Sequence, residues 1–195
     1  MNNIKLIDTS ANVLALKKQF SCELKAIYWS EKRLLKLLPK LTKASSTKYL
    51  KASFKGHLYA TKTQVGRLEQ IFKLVNEKVI AKKCLIMEGL FIEVNNTIKT
   101  TEKNTRLRDL GLITIARQIE HYEIYKYERL KDLADSLEQF NITGLIENTL
   151  IEEREAEETF MAIKEDTLID DEFKVINENS EEFESSELIE ELQYI

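Results

Sequence analysis

The residues that could do chemistry here are glutamates placed where apolar side chains would be expected. Glu31 follows Ile27 and Tyr28 and precedes Leu34, Leu35 and Leu38, so a helix through this segment turns Glu31 toward its apolar face. Leu112, Ala116, Ile119, Glu123 and Leu130 share a second face, with Glu120 at its edge. Ile146, Leu150, Glu153, Glu157 and Phe160 share a third. An ionised carboxylate without a partner in a core costs several kcal/mol or is forced to take up a proton. Several together repel one another and call for a compensating positive charge. Divalent metal ions supply that charge in di-iron and di-manganese helical bundles, where a Glu from each of two helices joins a Glu-x-x-His from each of the other two. No Glu-x-x-His occurs in this chain. The competing reading pairs each inward glutamate with a Lys or Arg across a helix interface.

There are two histidines. His57 shares an apolar face with Leu50, Phe54, Thr61, Val65, Leu68 and Phe72, one turn before Thr61 and Gln64. It reads either as a satisfied core histidine or as a metal ligand. His121 falls with Thr114, Arg117 and Tyr125 on an outer or interface face. Tyr28, Trp29, Tyr122, Tyr125 and Tyr127 lie near the proposed carboxylates, and bundle packing accounts for them without redox chemistry. There is no Gly-rich phosphate loop, no Gly-x-Ser-x-Gly and no nucleophile–base pair.

The elements that must position these residues are helices. The 195 residues include one proline and five glycines, too few turn formers for an all-β fold. Apolar spacing by threes and fours predicts five helices, over about 9–43, 48–76, 83–102, 105–139 and 142–166. Pro39 falls within the first and predicts a kink. Ala44-Ser45-Ser46-Thr47 breaks the pattern and offers N-cap residues. The first, second, fourth and fifth are long enough for a four-helix bundle. The short third would lie in the crossover from the second to the fourth, the ferritin-like connection. Residues 1–166 are therefore expected to form an all-α bundle, and residues 167–195 an acidic tail that is flexible or carries one short helix.

Charge divides the chain in the same place. Residues 165–195 hold 12 acidic side chains and one basic one, a balance of −11, which leaves +7 on residues 1–164 out of the overall −4. Lys25, Lys32, Lys36 and Lys43 form one stripe, and Lys48, Lys51, Lys55 and Lys62 another. They read as solvated faces, and the acidic tail argues against nucleic acid as a partner. No apolar run reaches the roughly 18 residues of a membrane span, and no leader pattern opens the chain, so a cytoplasmic protein is expected. Cys22 and Cys84 form no CxxC pattern and are expected to be buried or inert thiols.

Four segments then carry a resemblance. Glu23 to Leu34 with Leu38-Pro39-Lys40, Met87-Glu88-Gly89-Leu90 with Glu93, Glu120-His121-Tyr122-Glu123-Ile124, and Leu150 with Glu152-Glu153 occur in order over about residues 13–165. Together they resemble the YciE/YciF family of ferritin-like, stress-associated bacterial proteins. The resemblance implies a ferritin-like bundle, a homodimer, a stress association and a rubrerythrin-like iron or manganese site. Glu31, Glu120, Glu123 and Glu153 match acidic positions of the family. The second helix departs from it: where the family carries two glutamates, this chain has Tyr59 and Ala60, followed by Gln64. The ligand set expected is Glu31, Glu123 and Glu153, supported by Glu120, Glu157 and His57. The function expected is handling of metal, oxygen or peroxide. The alternative is a non-catalytic interaction or stress-response protein whose metal site has decayed, with the acidic tail docking a protein partner.

Overall fold

The structure is a computed structural model that describes the backbone of residues 2–192 and the side chains of residues 10–168. Among the described residues five helices follow one another: α1 Asn2–Ala44, α2 Lys48–Leu74, α3 Leu85–Thr100, α4 Arg106–Ser136 and α5 Phe140–Leu192. The helix ends have local causes. Thr47 and Thr105 accept hydrogen bonds from the backbone of Leu50 and Arg108, capping α2 and α4. Asn76, Asn104 and Glu138 take positive φ angles of 54°, 58° and 55°, so each turns the chain out of a right-handed helix. This is why α2 stops at Leu74 and α4 at Ser136, earlier than periodicity predicts. Pro39 stands inside a helix that continues to Ala44.

The short links after α1 and α4 make α1/α2 and α4/α5 neighbouring pairs. α1 also packs on α4 and α2 on α5, which closes the ring of four. α3 lies in the long crossover from α2 to α4 and rests on α4 and α1. This is the expected ferritin-like four-helix bundle with an extra helix in the crossover. The α1–α2 link is tied to the start of α4: the buried Asp109 carboxylate accepts from the backbone of Ser46 at 2.8 Å and of Thr47 at 3.2 Å. Gly111 lets α3 approach α4, because a Cβ there would meet the Thr97 methyl at 2.8 Å.

The core is split into two apolar clusters. One holds Leu34, Leu38, Phe54, Phe91, Ile119 and Phe160, with the contribution of α3. The other holds Leu24, Ile27, Phe72, Tyr127, Leu130 and Leu150. Between them along every helix of the ring comes a polar position: Glu31 on α1, His57 and Thr61 on α2, Glu120 and Glu123 on α4, Glu153 on α5, all buried. The boundary expected at residue 166 falls within α5, and the tail's residues 169–195 lie outside those whose side chains are described. Among the described residues, no helix is long and apolar enough to cross a membrane. Cys84 is buried, while Cys22, expected to be buried or inert, is exposed, with Lys82 Nζ 3.1 Å from its sulfur.

Candidate metal centre

The polar layer is a cluster of ionisable groups. His57, Glu120, Glu123 and Glu153 each offer one ligand atom, and these atoms all lie within 4.8 Å of one another. Two donors reaching one ion at about 2.1 Å stand at most about 4.2 Å apart, so small side-chain adjustments close this set on a cation. The four come from three helices. α2 supplies His57 from the stripe that also buries Thr61 and Gln64. α4 supplies Glu120 and Glu123, three residues apart and so on one face. α5 supplies Glu153.

The fourth helix of the ring supplies Glu31, which is fully buried beside this set. Tyr127 donates a 2.6 Å hydrogen bond to Glu31 Oε1 and leaves Oε2 without a partner. Both oxygens of Glu123, both of Glu153, and Oε2 of Glu120 are likewise buried without a hydrogen bond. His57 Nε2 lies 3.3 Å from Glu120 Oε1 but not in hydrogen-bonding alignment. Native interiors satisfy nearly all buried polar atoms, so this concentration in one layer marks a site with a missing partner.

The electrostatics give the same answer. Burial raises the Glu31, Glu120 and Glu123 carboxyls well above the ordinary 4.5, and the neighbouring carboxylates Glu153 and Glu31 add to the rise. Burial raises Glu153 to about 7, with the Glu152 carboxylate adding to the rise and the Arg67 guanidinium opposing it. Burial lowers His57 to about 4, so at neutral pH the imidazole carries no charge that could balance the carboxylates. A neutral imidazole with crowded carboxylates is the donor set of a first-row transition metal. The residues present therefore fit iron or manganese.

Adjacent residues in the sequence have different work. Glu152, next to Glu153, turns outward to Arg67, which holds it by bonds of 2.7 and 2.5 Å, and Gln64 Nε2 donates to it at 3.2 Å. Glu157 is placed apart from the cluster. Burial alone would raise it, but Arg117, at 2.6 and 3.0 Å, and His121, at 3.0 Å, hold it below the ordinary range. His121 is exposed, within the outer or interface placement expected for it. Of the tyrosines, Tyr127 is the one bonded to the layer; Tyr28 donates to Glu69 at 2.9 Å and Tyr125 is exposed. The Tyr127–Glu31 bond was not foreseen from sequence. Its signal was the placement of Tyr127 one turn after Glu123 on the inward face of α4.

Comparison with known proteins agrees with the fold. The domain of unknown function DUF892 matches residues 15–172. Protein YciF of Escherichia coli K12 is 38% identical over 144 residues, covering 73% of this chain and 86% of that protein. The crystal structure of the E. coli stress protein YciF superposes with a TM-score of 0.75 at 35% identity, over 78% of this chain and 96% of that one. YcfI of Rhodopseudomonas palustris matches with a TM-score of 0.71 at 28% identity, over 74% and 92%. A Xanthomonas campestris protein at 19% identity, with a TM-score of 0.64 over 79% and 94%, shares the fold. On the extent and order of these matches, the chain belongs to the YciF family, that of the DUF892 domain.

Proposed function

We propose that this protein binds iron or manganese in its buried carboxylate–histidine layer and serves a stress response by handling metal, oxygen or peroxide. The observation that carries the proposal is the convergence of His57, Glu120, Glu123 and Glu153 within 4.8 Å, with carboxylate oxygens that no protein group satisfies. His57 would offer a neutral nitrogen, and Glu123 and Glu153, each with both oxygens free, would offer carboxylate donors. Glu120 would complete the set, with Glu31, held by the Tyr127 hydroxyl, beside it. When bound, the metal would supply one-electron chemistry toward oxygen or peroxide. The protein's own part is to shed the protons that burial places on these carboxyls, hold the donors fixed, and keep bulk water out. The stress association rests on family membership and on the E. coli relative, which is described as a stress protein.

A bundle without a metal could neutralise the layer by protonation, which is the alternative function in chemical form. The two separate in an anaerobic calorimetric titration with Fe²⁺ and Mn²⁺. Binding should release protons, and Glu123→Gln and Glu153→Gln should each weaken it by about tenfold or more, 1.4 kcal/mol. Iron-loaded protein should consume hydrogen peroxide faster than the same variants. Absence of binding by the unmodified protein would leave the protonated, non-catalytic bundle as the reading.

A further inference from the structure

A buried centre needs a way in. Beside it, between α2 and α5, runs a groove of about 260 Å³. Its floor includes His57, the one member of the His57–Glu120–Glu123–Glu153 set that also lines this groove. His57 is 6% exposed, and its Nε2 has no hydrogen-bond partner. Gly56 and Ala60 from α2 and Ala156 from α5 line the groove beside the larger Phe160. Glycine inside a helix is destabilising relative to alanine. Close packing does not require it at position 56, where an added Cβ would meet nothing within 4 Å. The acidic residues Glu152 and Glu155 of α5 also line the groove. Arg67 neutralises Glu152, while Glu155 is exposed to solvent. The free Glu155 carboxylate favours cations at this edge of the groove.

We propose that the α2–α5 groove is the route by which a divalent metal ion reaches the centre, with His57 the first ligand it meets. The proposal rests on the metal reading of the polar layer. A route, unlike a ligand, governs rate in both directions: narrowing it slows entry and exit alike and leaves the equilibrium constant unchanged. Stopped-flow absorbance with Co²⁺ reads this directly. Ala60→Phe and Gly56→Leu should each slow loading by about tenfold or more while Kd stays within about twofold of the unmodified protein. Gly66→Leu is the control: it lies on the same helix, away from the groove, and a Cβ there also meets nothing within 4 Å. Glu155→Lys, a surface change with little risk to folding, should slow loading at low salt and lose that effect at high salt. Groove variants that load as fast as Gly66→Leu, with Glu155→Lys also without effect, would overturn the route and leave the site standing. No Co²⁺ uptake by the unmodified protein would overturn both.

Discussion

Burying Glu31, Glu120, Glu123 and Glu153 together is unfavourable at neutral pH unless protons or metal ions balance them, and the two solutions leave opposite pH signatures. In the metal-free protein, burial holds Glu31, Glu120 and Glu123 well above 4.5 and Glu153 at about 7. The native state then keeps protons that the unfolded chain releases. The stability from these carboxyls is fully present below their unfolded value and is lost as pH rises through the folded values. His57 works the other way: lowered to about 4, its contribution is lost as pH falls from 6.5 and is constant above 6.5. As pH rises from 6.5 the carboxyls set the trend, at about 1.4 kcal/mol per pH unit for each extra native proton. Metal-free protein should therefore melt at falling temperature over that rise, by calorimetry. Saturating Mn²⁺ should flatten or reverse the fall, because ligands must be deprotonated to bind. The inward placement of Glu31, Glu123 and Glu153 was legible from helical period, since each sits between apolar residues of one stripe. Glu120 and His57 were harder to rank, because they stand beside the stripe or among core residues of the same face. Glu157 was overvalued for a tertiary reason: Arg117 and His121 reach it from α4, and nothing in the α5 pattern reveals them.

Among the elements, α2 is the one that departs from the pattern the resemblance implies, with Tyr59 and Ala60 where two glutamates are expected. It brings His57 to the layer, and the next positions on that edge are Ala60 and Gln64. Residues 57, 60 and 64 are spaced by three and four and so share one side of the helix. Ala60→Glu should place a carboxylate beside His57 and raise Mn²⁺ affinity by about tenfold, or 1.4 kcal/mol, and Gln64→His on top of it should raise affinity further. Calorimetric titration reads both, and no gain in either variant would mean that α2 is too far from the other donors to complete the set. Helix number and order were predictable because charge-rich amphipathic helices advertise their inner faces, while the crossover connection was not fixed by periodicity. Helix ends were less so. Asn76, Asn104 and Glu138 stop or separate helices through left-handed backbone geometry, which the apolar pattern does not encode. The pairing of α1 with α4 and of α2 with α5 is likewise a packing result that periodicity alone does not select.

At the scale of the whole molecule, charge and assembly remain to be set against the bundle. The split between a +7 body and a −11 segment after Lys164 leads us to propose that residues 167–195 act separately from the bundle, masking its lysine stripes or docking a protein partner. A chain ending at residue 166 should keep its helicity per residue and its melting temperature. If the tail masks the stripes, the shortened chain should also gain salt-sensitive binding to heparin, since lysines that contact a polyanion release counterions. Unchanged binding at low salt removes masking, and a large loss of stability would show that the tail packs on the bundle. A homodimer, proposed from the family resemblance, is to be checked on the same samples by sedimentation. The central claim concerns the middle of the bundle, and anomalous diffraction at the manganese edge from Mn²⁺-soaked crystals tests it most directly. The account expects a peak about 2.0–2.3 Å from oxygens of Glu123 and Glu153, with His57 and Glu120 turned toward it. Peaks confined to surface carboxylates such as Glu155, with nothing in the buried layer at saturating Mn²⁺, would contradict it.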